Sequence, residues 1–339
     1  MPILLTSAAF LAAAICAGLM GFAIQRGATC TVAAVDEVMT RRRAHRLLAM
    51  VEASLWVACG LVIAQALHLL PAMPVGYALD FGTIVGGVLL GLGAYVNGAC
   101  VFGAIARLGS GELAYLATPV GFYVGCLTVG PLFAPAGATQ LDHGSPVLHA
   151  SPWVAAVFVA PMLYRVVNLL RSPPAEDAGT ASGERARSPI IGRAWSPHSA
   201  TALIGITFLF TLLLVGGTWA YTDVLAELAR GMAGSLPARF ALLLALFAGA
   251  VGGGVAAGRF RRTPPRVAQV AKCAAGGALM AWGSLLIPGS NDGLILVGMP
   301  LLRPYAWVAF LTMCVSIAAA MLLRRALRAG AGRRGMLEG

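Results

Sequence analysis

The chain has little charge and almost no lysine. Of its 339 residues only 11% are Asp, Glu, Lys or Arg, while 59% are hydrophobic; soluble domains carry about a quarter charged residues. That scarcity excludes a soluble globular protein and points to an integral membrane protein. The single lysine, Lys272, stands in AKCAAG and not in a Gly-rich GK[ST] loop, so the chain brings no phosphate-binding loop and no ATP motor of its own. Closely spaced cysteines are missing too. The seven cysteines are never nearer than fourteen positions, which removes a CxxC redox pair and zinc-ligand spacing. The five histidines, His143 and His149 among them, show no metal spacing, so no metal or cofactor is expected. Nor is there a polar basic domain for nucleic acid, although the net charge is +11.

What the chain has instead is long apolar runs. A spanning helix needs about 20 mostly apolar residues, and nine runs stand near 3–25, 44–70, 79–97, 113–134, 152–171, 198–220, 237–258, 267–286 and 303–323. The first opens MPILLTSAAF without a basic stretch, and so reads as a retained helix. Basic residues set the orientation, because short loops rich in Lys and Arg stay in the cytoplasm. Nineteen of the 24 fall in four clusters, within 41–46, 165–193, 259–272 and 324–334, after runs one, five, seven and nine. If each run crosses once, these clusters share the cytoplasmic face of a bacterial inner membrane. The N-terminus is then outside and the C-terminus inside. The 98–112 loop falls on the same face with only Arg107 to mark it. The stretch 171–197, rich in Pro, Ser, Gly and charge, reads as a flexible cytoplasmic linker. It divides a first membrane half with a linking helix (1–170) from a second half (198–339).

The halves resemble each other. A shift of 190 positions lays GGVLLGLGAYVNGACVFG (86–103) on GGALMAWGSLLIPGSNDG (276–293) without a gap, so that Gly86, Gly87, Gly93 and Gly103 meet Gly276, Gly277, Gly283 and Gly293. An odd helix between two sets of four inverts the second set. The expected fold is therefore all-α, with about nine spanning and about four short re-entrant helices in an inverted repeat, the plan of secondary transporters.

Four segments are too short to span: 27–40, 98–111, 221–234 and 288–299. Irregular backbone at membrane depth is tolerated where it is buried in protein or lines a wet cavity. The start of a short helix leaves N–H groups unpaired and carries partial positive charge, which suits an anion. Cys30 follows Gly27-Ala28-Thr29 at one such start and Cys100 follows Asn97-Gly98-Ala99 at another. The 190-residue shift puts Ser290, in the run Pro288-Gly289-Ser290-Asn291-Asp292, in the place of Cys100. Cys30, Cys100, Ser290, Asn97, Asn291 and Asp292 are the candidate pathway residues at these breaks. The other five cysteines sit in continuous apolar runs, where a thiol is a small packing residue. Arg26, Arg107 and Arg303 lie beside the breaks; each either borders the pathway or turns to the headgroups. Asp36, Glu37 and Glu112 are at hand to pair with them.

GFAIQRGATC (21–30) and GGVLLGLGAYVNGACVFGAIARLGSG (86–111) resemble the two signature regions of the YeeE/YedE family of sulfur-compound transporters. The resemblance runs from the first helix through run nine and leaves out the 171–197 linker. It implies an hourglass-shaped molecule in which waist cysteines pass thiosulfate along through thiol hydrogen bonds, roles that fall on Cys30 and Cys100. The family's third waist cysteine belongs in the second half, where this sequence has Ser290 or Asn291. The resemblance also implies a small cytoplasmic sulfur carrier of the TusA type as partner. The expected function is uptake of thiosulfate or a related sulfur anion, and the protein is not expected to be an enzyme. Alternatives are another sulfur oxyanion or a selenium compound as cargo, a membrane thiol oxidoreductase, which the cysteine spacing disfavours, or a scaffold subunit, which leaves the polar breaks unexplained.

Overall fold

The structure, a computed structural model, describes residues 7–129, 139–141, 144–149, 152–171, 195–231 and 236–335. Its elements are α1 (Ala8–Gly27), α2 (Thr31–Arg41), α3 (His45–Ala66), α4 (Phe81–Asn97), α5 (Val101–Gly109), a 3-10 turn (Leu113–Leu116) and α6 (Ala117–Thr128). There follow α7 (Pro152–Arg171), α8 (Pro197–Val215), α9 (Tyr221–Ala229), α10 (Leu236–Ala256) and α11 (Val267–Leu286). Last come α12 (Asn291–Gly293), which runs on as a π-helical turn (Leu294–Gly298), and α13 (Pro304–Gly335). Two-residue strands β1 (Gly76–Tyr77) and β2 (Gln140–Leu141) pair antiparallel.

Local chemistry sets the helix ends. Asp80 and Thr83 form a capping box at the start of α4, and Gly98, in the left-handed region at φ 77°, ends it. Ser196 caps α8 with Pro197 as its first residue. On α1, Leu11, Ile15 and Leu19 are exposed while Ala13, Ala17 and Met20 are buried. An apolar stripe turned outward on a helix of this length is a lipid-facing side, and the chain is a multi-pass membrane protein.

Among the described residues six helices are long and apolar enough to cross a membrane, or seven if Val267–Leu286 and Asn291–Gly298, bent by 51°, form one span. The sequence pointed to nine. The difference lies in two runs that do fold as helices: 113–134 yields the shorter apolar helix Leu113–Thr128, and 152–171 yields α7, which is not one of the six. Of the linker expected at 171–197, residues 172–194 lie outside the described ones, as does His143.

Glycine brings the helices together. In lipid there is no hydrophobic drive between helices, so close backbone approach supplies the packing. α4 and α11 cross antiparallel: a Cβ on Gly86 would fall 2.7 Å from the Gly283 carbonyl oxygen, and one on Gly93 would fall 2.8 Å from that of Gly276. α1 runs parallel to α10, with Gly18 on Ala245 and Gly253 on Phe22, while α8 runs parallel to α3, with Gly205 on Ala53 and Gly60 on Leu209. α6 lies parallel to α11 and α4 parallel to α13. The four short helices α2, α5, α9 and α12 start at Thr31, Val101, Tyr221 and Asn291, the first and third 190 positions apart and the second and fourth likewise.

Candidate functional site

The short helices meet inside the molecule, α2 against α5, α5 against α12 and α12 against α9. Each is preceded by an extended residue whose own side chain does not cap it: Cys30, Cys100, Ala220 and Ser290. The positive ends of α2, α5 and α9 thus converge on buried ground. Part of the cap is borrowed from a neighbour, since the Thr31 N–H donates to Cys100 Sγ at 3.1 Å. The Cys30 and Cys100 side chains are neighbours, and both residues are buried. Gly103 makes room for this pair; a Cβ there would stand 2.5 Å from Cys30 Sγ.

Beside the thiols is a layer of harder donors. The Thr222 hydroxyl donates to Asp292 Oδ1 at 2.6 Å, the Ser290 hydroxyl donates to the same oxygen, and the two hydroxyl oxygens lie against each other. The Thr222 N–H points to Asp292 Oδ2 at 3.4 Å. Asn291 joins the layers, its Oδ1 accepting from the Thr31 hydroxyl at 3.3 Å. Its Nδ2 is buried with no hydrogen-bond partner among the described residues.

A cavity lies on each side of this waist. One, of about 520 Å³, is lined by Gln25, Cys30, Asp36, Arg46, Arg107 and Arg259 with others. Its rim continues into a smaller cavity of about 310 Å³ that shares Asp36 and carries Arg324, Arg325 and Arg328. The second large cavity, of about 510 Å³, is lined by Thr222, Asp223, Glu227, Arg230, Arg239 and Ser290 with others. Cys30 therefore faces one chamber and Ser290 the other, while Cys100 lines neither large cavity.

The structure brings Cys30, Cys100, Ser290, Asn291 and Asp292 together at the waist. Arg107 stands apart at the mouth of the Cys30 cavity, paired with Glu112 at 3.2 Å and stacked 5.2 Å from the Tyr115 ring centre. Arg26 and Arg303 are both buried and line neither large cavity; Arg26 lies 6.0 Å from the Phe22 ring centre, and Arg303 packs on Gly76. Asn97 fastens the α4–α5 break, donating to the Ala99 carbonyl at 2.6 Å and accepting from the Thr118 hydroxyl at 2.9 Å. Asp36 and Glu37 reach other cations than expected, Arg325 and Arg46.

Sequence reasoning missed Thr31 and Thr222, whose hydroxyls tie the waist, and Asp223, Arg230 and Arg239 of the second cavity. Thr222 stands at the start of an expected break, but its partners are 68 and 70 positions away. The electrostatics of the site are lopsided. Asp292 is a buried carboxylate with three donors and no ion pair among the described residues. Two unit charges 4 Å apart interact by about 4 kcal/mol at an effective dielectric constant of about 20, so its charge matters to any anion at Ser290.

Similarity to known proteins points to sulfur transport. The family model described as Sulphur transport matches residues 26–319. Over 321 residues the chain is 23% identical to a protein of Escherichia coli (strain K12) named thiosulfate transporter TsuA, covering 89% of this chain and 91% of that one.

Proposed function

Since the chain belongs to the Sulphur transport family, we propose that it takes up thiosulfate or a closely related sulfur anion through the waist between its two cavities. The observation that carries this reading is the pair of chambers closed from each other by thiols and hydroxyls, with Ser290 on one and Cys30 on the other. Its similarity to a thiosulfate transporter supports the choice of cargo.

The chemistry suits such an ion. Thiosulfate is a dianion with one soft sulfur end. It needs positive potential to leave water, and donors weak enough to let it go. Helix starts supply the first and thiols and hydroxyls the second. Bidentate arginines at the waist would hold the ion too firmly; here Arg107, Arg230 and Arg239 stand in the chambers, away from the waist. In this reading the anion passes from Ser290, with Asn291 Nδ2 as a further donor, to Cys100 and then Cys30.

The chamber of Arg46, Arg107 and Arg259 is the cytoplasmic one, because it gathers basic loops from three parts of the chain. With that chamber on the inside of a bacterial inner membrane, the N-terminus lies outside and the C-terminus inside, and the nine apolar runs of the sequence support nine crossings. Helix starts 190 positions apart and the antiparallel α4–α11 crossing support an inverted repeat of 1–170 and 198–339 joined by the 171–197 linker. The arginines of the inner face suit a TusA-like carrier as acceptor of the cargo.

Uptake of radiolabelled thiosulfate into proteoliposomes tests the proposal. We expect Cys100→Ala to lower the initial rate at least about tenfold, the effect of one lost donor of about 1.4 kcal/mol, and Cys100→Ser to lose less. Equal rates in all three would remove Cys100 from the pathway. Competition by other sulfur oxyanions and by selenium compounds ranks the cargoes.

A further inference from the structure

Asp292 is out of place in a path for anions. It is buried at the waist and shares hydrogen bonds with Ser290, which lines the outer chamber. An anion that reaches the Ser290 hydroxyl is next to this carboxylate, so the ionised form repels the cargo. An ionisable group inside a membrane protein marks a functional site by default, and proton relay is one of the roles such carboxyl groups fill.

The groups facing Asp292 do not neutralise it. From α9 come Tyr221, Thr222 and Asp223; the last is a second acidic group, on the outer-chamber side. α5 offers Phe102 and Ile105 and, at its start, Cys100; α1 offers Met20 and Ile24, and α10 offers Leu246. Cys30 of the α2 start lies behind Cys100. The nearby cations stand around Asp223: Arg239, which pairs with Glu227 and donates to the Thr218 carbonyl, and Arg230. Among the described residues no Lys, Arg or His pairs with Asp292 itself.

We propose that the transporter is a proton–anion symporter in which Asp292 carries the proton. The inference rests on the pathway reading given above. Three oxygens, Asp292 Oδ1, Ser290 Oγ and Thr222 Oγ1, lie within hydrogen-bonding reach of one another. With Asp292 ionised, both hydroxyl protons are directed to its Oδ1 and neither is left for an anion. With Asp292 protonated, the carboxyl O–H donates to one of the two hydroxyl oxygens, and that hydroxyl turns its own proton to the anion. Protonation therefore removes the repelling charge and creates the donor in one step. The proton comes from water in the outer chamber through the Ser290 and Thr222 hydroxyls that line it, and is given up on the inner side once the anion has passed to the thiols and the waist has opened to the inner chamber. One proton enters with each dianion.

The test uses the full-length protein in proteoliposomes with the membrane potential clamped at zero. Radiolabelled thiosulfate is followed both in exchange against internal thiosulfate and in net accumulation under a gradient of about one pH unit, acid outside. Wild type is expected to exchange, to accumulate about tenfold, since one pH unit is a factor of ten in an equilibrium, and to acidify a lumenal pH dye when thiosulfate is added. Absence of exchange sinks the pathway reading. Exchange without gradient-driven accumulation or acidification overturns the proton proposal and leaves the pathway standing. In Asp292→Asn the ratio of gradient-driven to ungraded uptake is expected to fall to about one, and Asp292→Glu to keep it above that. A wild-type ratio in Asp292→Asn overturns Asp292 as the carrier. Should both variants fail to fold, the acidification measured in wild type decides for or against coupling.

Discussion

At the scale of single residues, the waist depends on what is small as much as on what is polar. Gly103 is the clearest case, because its missing side chain is the space that Cys30 occupies. Gly103→Ala puts a methyl group 2.5 Å from Cys30 Sγ, so the thiol must turn away from Cys100. We expect a stability loss of about 1–3 kcal/mol, as for overpacked sites generally, and slower thiosulfate uptake. Thermal unfolding in detergent and proteoliposome uptake measure the two effects separately; unchanged uptake would mean that the Cys30 position is immaterial. Cys30, Cys100 and Ser290 were legible in the sequence because each directly precedes a short helix, and helix starts are marked by local small and turn-forming residues. Thr222 was not, since nothing local distinguishes a threonine that reaches 70 positions away for Asp292.

Among the elements, the decisive packing is between α4 and α11, the helices that lead into the breaks at Cys100 and Ser290. Their backbones touch at Gly86 with Gly283 and at Gly93 with Gly276. Gly93→Leu forces an isobutyl group against the Gly276 carbonyl and Met280, where a Cβ alone comes within 2.8 Å. The backbone cannot yield as a flexible side chain does, so we expect a cost of about 3 kcal/mol and a lower unfolding temperature. A melting curve that matches wild type would show that the crossing carries no strain. The repeated Gly pattern made this pair visible from sequence, whereas which helix each glycine would touch was not. The fourth and fifth apolar runs are the counterpart: composition suggested full spans, and the folded helices Leu113–Thr128 and Pro152–Arg171 fall outside the six that are long and apolar enough.

For the whole molecule, charge sorts into two chambers. Arg46, Arg107 and Arg259 come from three separate stretches and line one cavity, while Arg230 and Arg239 line the other. The topology that follows is checked with membrane-impermeant maleimide on cells. Arg43→Cys is expected to label only after permeabilisation and Ala72→Cys, on the opposite chamber, in intact cells. The reverse pattern inverts the orientation and with it the inner and outer assignment of the chambers.

The sequence by itself determined the membrane class, the places of the helices, the breaks and the residues that open the short helices. All of these rest on composition and order within a dozen neighbouring residues. Only the tertiary structure decided which breaks meet. Thr31 bonds Cys100 across 69 positions and Asn291 across 260, separations over which no local pattern constrains the chain. The same packing turned Asn97 into a fastener of the backbone, buried Arg26 and Arg303 away from the lining of the two large cavities, and set Asp292, with no ion pair among the described residues, beside Ser290. Side-chain type fixes what a group can do, and burial and neighbours fix whether it stands where an anion passes.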